Sequence, residues 1–129
     1  MKYMLMMAAN QAGWESFGKM APEEIHAHIG FMLQLNKDLA ASGELVSAEG
    51  LSPPAAAKVV RVTADGSPAI TDGPFPETKE FLAGYWILDV RNEERILEIA
   101  TRISGAPGRK GVPMGIPVEV RPIGEPPRV

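Results

Sequence analysis

Leu82-Ala83-Gly84-Tyr85-Trp86-Ile87-Leu88-Asp89-Val90 is the stretch on which the fold turns. In the period-two geometry of a strand, Leu82, Gly84, Trp86, Leu88 and Val90 share one face, and Ala83, Tyr85, Ile87 and Asp89 share the other. The first face is apolar and is expected to meet helices. The second offers a phenol and a carboxylate beside Ile87. Such two-sidedness belongs to an antiparallel sheet covered on one side.

Two helical patterns supply the cover. Downstream, Asn92 caps a helix that carries Glu93 and Glu94 in its first turn and buries Ile96, Ile99, Ala100 and Ile103, with Arg95, Glu98 and Arg102 facing out. Upstream, a helix opens at Pro22, where a missing N–H costs nothing, gains from Glu23 and Glu24 at its positive end, and stops at Ser42-Gly43. Ile25, Ile29, Met32 and Leu39 form its apolar stripe, and Asn36 inside that stripe needs a partner or water. His26 points to solvent. His28 falls at the stripe's edge one turn from Glu24, so a surface Glu24–His28 pair is expected, with acid–base work by His28 as the alternative.

The remaining segments complete the layout. Residues 2–8 are a continuous apolar run, read as a central strand covered on both faces, with Met4, Met6 and Met7 filling the core rather than holding a soft metal. Residues 10–20 are mixed and read as a loop pinned by Trp14 and Phe17, with ligand stacking by Trp14 as the alternative. Extended runs at 44–48 and 57–63 are separated by Leu51-Ser52-Pro53-Pro54, and Asp65-Gly66 turns the chain into 69–71. Lys58 and Arg61 alternate across their strand and form no joint anion site; Lys58 reads as edge protection. A last strand at 116–123 places Glu119 and Arg121 on one face and Val118 and Val120 on the other. Strand, helix, strands, strand, helix, strand is a ferredoxin-like α+β layout: one domain over 1–129, an antiparallel sheet with both helices on one face. The opposite face carries Ile87 and Ile123 among Tyr85, Asp89, Glu119 and Arg121, and a second copy of the chain is expected to cover it.

Composition narrows the function. A chain of 129 residues with net charge -3 and an isoelectric point near 5.4 has no electrostatic footprint for nucleic acid or an anionic membrane. Without cysteine, disulfides and thiolate chemistry are excluded. Residues 1–9 are apolar but carry only Lys2 and turn polar at Asn10 and Gln11, which suits neither a signal peptide nor a membrane span; the cytoplasm is the expected location. Gly105-Ala106-Pro107-Gly108-Arg109-Lys110-Gly111 lacks the spacing of a phosphate-binding loop, though Arg109 and Lys110 can meet an anionic ligand. No serine sits in a Gly-x-Ser-x-Gly elbow, and the two histidines and scattered carboxylates have no metal-ligand spacing, so neither metal nor cofactor is expected.

Just before the decisive strand lies Thr71-Asp72-Gly73-Pro74-Phe75-Pro76-Glu77-Thr78-Lys79-Glu80. Asp72 can accept backbone N–H groups, Gly73 tolerates unusual φ, and Pro74 forces its predecessor out of the helical region, which makes a rigid corner. Phe75 is then a core anchor or a ring lining a cleft. Asp72-Gly73-Pro74-Phe75, followed by Glu77-Thr78-Lys79-Glu80 and the strand from Gly84 onward, resembles the DGPF group of YCII-related proteins. Met1-Lys2-Tyr3-Met4 and Val118-Glu119-Val120-Arg121-Pro122 resemble that group's ends. Pro76 departs from the small residue expected there, and the loop at 104–115 is longer than usual.

The resemblance implies a small bacterial domain that pairs into a dimer of α+β barrel type, with activity unassigned for most members. Three functions follow from it. In the first, the dimer binds a small anionic or aromatic metabolite, with Arg121 for the anionic group and Tyr85 or Phe75 for stacking. In the second, the chain is an acid–base enzyme: the wider family offers a suggested histidine–aspartate pair, and some relatives resemble muconolactone-isomerase-like or dehalogenating enzymes of aromatic breakdown. The family histidine aligns closer to Met32, one turn from His28, so the candidate proton carriers are His28 and Asp72, with Arg121 holding a carboxylate. In the third, the chain is an interaction module associated with sigma-factor-like regulators.

Overall fold

A computed structural model describes residues 1–73 and 79–127 of the chain. The corner residues Pro74 to Thr78, Phe75 among them, lie outside the described residues. In chain order the elements are β1 (Lys2–Ala9), α1 (Gln11–Gly18), α2 (Pro22–Ala41), β2 (Leu45–Gly50), β3 (Lys58–Val62), β4 (Pro68–Asp72), β5 (Phe81–Asp89), α3 (Glu93–Ser104) and β6 (Val118–Pro122).

Four strands form an antiparallel sheet in the order β2-β5-β1-β6, so the two interior strands are the most apolar stretches of the sequence. With α2 and α3 as the crossovers between these strands, this is the ferredoxin-like α+β arrangement. The sheet is open, and no barrel closes within the chain. Register follows the alternation in β5: Leu5 lies opposite Trp86 on one side and Val120 on the other, and Tyr3 lies opposite Leu88. Those residues face the helices, where Leu5, Leu88, Leu35 and Leu39 of α2, and Ile96, Ile99 and Ile103 of α3 form one core. Seven side chains of leucine and isoleucine size are fully buried there, which places the greater part of the hydrophobic driving force between sheet and helices.

The other sheet face differs from the expectation for β1. Met4 and Met6 point away from the helices and are only partly buried, so within one chain this strand is covered on one face. Tyr85, Ile87, Glu119 and Arg121 share that uncovered face.

Two helical expectations also change. The segment read as a loop at 10–20 forms α1, because the Asn10 side chain caps it by accepting from the Gly13 N–H at 2.9 Å. Trp14, Phe17 and Met20 then recur on one side at helical spacing, and Met20 is buried. The face of α2 is rotated from the expected stripe: Ile29 is 49 % exposed, whereas His28, Leu35 and Leu39 are buried.

Strands β3 and β4 form a separate two-stranded ribbon, turned by Asp65-Gly66 with Gly66 at φ 88°. Lys58 lies opposite Asp72, Val60 opposite Ile70 and Val62 opposite Pro68. One ribbon face is therefore apolar beyond its terminal ion pair, yet Val60, Val62 and Ile70 are each more than half exposed.

Candidate functional site

At the end of the sheet where β1 finishes and β5 begins, the helix-side layer leaves a cavity of about 560 Å³. Met7 and Ala9 of β1, Ala83 of β5, Trp14 and Phe17 of α1 and His28 of α2 line it, together with Gly108, Arg109 and Met114 of the loop after α3. Both its size and its largely apolar lining with few polar groups are those of a small-molecule site. A second cavity of about 250 Å³ adjoins it along α2, walled by His28, Met32, Asn36 and Tyr85 among others.

His28 belongs to both walls and is 8 % exposed, the one polar residue in the buried set among the described residues. Its Nδ1 lies 3.1 Å from the Pro107 carbonyl oxygen. Its ring meets Phe17 edge-on, with centroids 5.2 Å apart and planes at 70°. The expected Glu24–His28 pair does not form, because Glu24 is engaged elsewhere. Its carboxylate accepts from the Lys110 N–H at 2.7 Å and from the Ala21 N–H at 2.8 Å. Those two backbone donors, with the charges of Arg109 and Lys110 adding to them, hold the Glu24 carboxyl below the usual glutamate range. Glu24 thus ties the start of α2 to the tip of the loop that carries Pro107.

That loop is built by the sequence that resembled a phosphate cradle. Lys110 adopts φ 55° and Gly111 φ 73°, which reverses the chain, while Gly108 N–H donates to Val112 O and Met114 N–H to Ala106 O. Gly108 admits no side chain: a Cβ there would stand 2.7 Å from Met114 Cγ. Met114 and the exposed Arg109 of this loop both line the cavity.

Trp14 Nε1 is sealed from solvent and has no hydrogen-bond partner, alone in this among the described residues. The other indole is satisfied: Trp86 Nε1 donates to Asn36 Oδ1 at 2.9 Å, which accounts for the polar residue inside the apolar stripe of α2.

The candidate residues from the sequence are distributed over three places. His28 walls both cavities; β5 borders the smaller one at Tyr85, whose side chain belongs by strand alternation to the uncovered sheet face. Arg121 is exposed on β6, opposite Met4 on the uncovered sheet face, and lines neither cavity. Asp72 ends β4 and pairs with Lys58 at 2.5 Å, both side chains about two-thirds exposed; it too lines neither cavity. Phe75 lies outside the described residues. Met32, where the family histidine aligns, shares the smaller cavity wall with His28. The sequence reading had Phe17 only as a residue pinning the segment and offered the loop only through Arg109 and Lys110; Met114 was missing from it. The Asn10 cap followed by Trp14, Phe17 and Met20 was the signal that could have found the roof.

Comparison with known proteins places this geometry. The YCII-related domain model matches residues 1–112, which takes in β1 through α3 and the following loop as far as Val112. An uncharacterized protein of Rhizobium meliloti (strain 1021) is 35% identical over 82 residues, covering 64% of this chain. The match spans 61% of that relative's own length. With the family model spanning most of its length, the chain belongs to the YCII-related family.

Proposed function

We propose that this chain is a small-molecule-binding protein that holds a compact aromatic ligand beneath α1, on the helix side of the sheet. The observation that carries this reading is the cavity of about 560 Å³ whose apolar wall closes around the buried ring of His28. Phe17, Trp14 and Met114 offer flat and polarizable contact to a ring, and Arg109 at the rim offers a cation to an acidic substituent left at the surface. Substituents that need full solvation stay outside.

A homodimer is part of the proposal. Met4, Met6 and Ile87 on the open sheet face, and Ile123 at 44 % exposed, form an apolar surface among Tyr85, Glu119 and Arg121 that a second copy would cover. Sedimentation at micromolar concentration is expected to give twice the chain mass; a monomer there removes this part of the proposal.

The enzymatic reading is favoured by one observation, the fixed orientation of His28, with one ring nitrogen held by a backbone carbonyl and the other left for a ligand. Asp72 as its partner would have to leave the ion pair with Lys58.

The test is a thermal-shift panel of aromatic acids, phenols and lactones on the protein and on Val112→Trp, which adds bulk at an exposed position of the cavity rim. A ligand at a hundred times its dissociation constant is expected to stabilise the protein by about 2.7 kcal/mol. The variant should lose that shift. No shift with any compound, or shifts that Val112→Trp leaves intact, would refute binding in this cavity.

A further inference from the structure

We infer that the ligand of this cavity presents a neutral O–H or N–H donor to Nε2 of His28, because the Pro107 carbonyl fixes which nitrogen of the ring carries the proton. The inference rests on the small-molecule reading of the cavity. A carbonyl oxygen has no hydrogen to give, so across the 3.1 Å contact Nδ1 must be the donor in every charge state of the ring. In the neutral imidazole the lone pair is then on Nε2.

Nε2 is the nitrogen with work left to do. It has no protein partner among the described residues and, unlike Trp14 Nε1, is not sealed away. The Phe17 ring, edge-on to the imidazole, restricts its rotation, and no carboxylate pairs with the ring among the described residues. A largely apolar cavity with this acceptor in its wall discriminates in a definite direction. A ligand hydroxyl satisfies the acceptor, whereas an isosteric methyl group leaves a desolvated lone pair without a partner. A ketone or ether brings no hydrogen to Nε2 and so leaves that acceptor unpaired.

Phenol and toluene form a matched pair that differs in this donor, and acetophenone supplies the acceptor-only arm. Titrated into the full chain by calorimetry, phenol is expected to bind about tenfold more tightly than toluene or acetophenone. His28→Phe should remove the difference while toluene still binds. Independently of any variant, long-range proton–nitrogen NMR on the unsubstituted protein reads the tautomer, with the exposed His26 as internal control. His28 is expected in the Nδ1–H form, with its Nε2 signal moving on addition of phenol and not of toluene. Equal affinity for phenol and toluene, or a His28 with its proton on Nε2, would overturn this inference while leaving the cavity as a binding site. Failure of all three compounds to bind at millimolar concentration would overturn both.

Discussion

Replacing Glu44 by glutamine is expected to destabilise the protein in a strongly pH-dependent way. Glu44 lies just ahead of β2 and receives both Nε (2.9 Å) and Nη2 (2.8 Å) of Arg95 from α3, while Ser42 Oγ donates to it at 2.7 Å. With side-chain exposures of 15% and 23%, the pair is mostly out of water, and Nη1 of Arg95 is held by Glu98 at 3.0 Å. Those bonds, the Arg95 guanidinium first among them, push the Glu44 carboxyl down from 4.5 to about 2, against the opposing effect of burial. Because the folded-state value is the lower one, the stabilisation is complete above the ordinary glutamate range and is lost as pH falls toward the folded value. A difference of about 2.5 pH units corresponds to an upper figure of about 3 kcal/mol. An amide retains part of the bonding, so Glu44→Gln should cost about 2 kcal/mol near neutral pH. Urea unfolding followed by tryptophan fluorescence measures the gap between the two proteins. The gap should stay nearly constant down to about pH 5 and close toward zero near pH 3. A gap that is independent of pH, or below about 0.5 kcal/mol at neutrality, would refute the reasoning.

Three further outcomes follow from the same geometry. Glu24→Gln should release the loop tip: the protection of the Lys110 amide against hydrogen exchange drops in the variant, and in the parent protein it drops as pH falls through the lowered Glu24 value. Asn36→Ala leaves the Trp86 indole N–H without its acceptor and should cost about 1–3 kcal/mol in urea unfolding; a change near zero would mean that water replaces Asn36. Asp72→Ala removes only an exposed pair with Lys58, and its unfolding free energy should change by less than about 1 kcal/mol.

Much of the fold could be read from alternation. β5 displays its two faces openly, and α3 has the cap, the acidic first turn and the Ile96–Ile99–Ile103 spacing that its structure keeps. The antiparallel order followed from these pieces and from ordinary connection rules. The face of α2 was harder, because the buried stripe runs through 28, 32, 35 and 39, and a histidine at its first position counts as polar in any hydropathy reading. Only the approach of Pro107 and Phe17, distant in sequence, makes a buried His28 intelligible. The roof α1 was obscured by Gly13 and Gly18 in a short segment, although Asn10 announced it. The loop wall was illegible in principle: its shape depends on Glu24 clamping Lys110, a contact between segments 86 residues apart. Asp72 looked like a turn acceptor because Gly73 and Pro74 follow it, yet it completes a cross-strand pair with Lys58.

The helix that roofs the cavity has little to lose by leaving. α1 has eight residues, no fully buried side chain, a single side-chain cap, and an indole N–H that its packing leaves unsatisfied. A helix this short has no stability of its own. Its detachment therefore requires only local unfolding, far below the free energy that holds the core together. Affinity can then be changed without touching a contact residue, by strengthening or weakening the Asn10 cap. Hydrogen exchange should show it directly: α1 amides exchanging early in the free protein, and slowed to the pace of their neighbours once the space beneath them is filled.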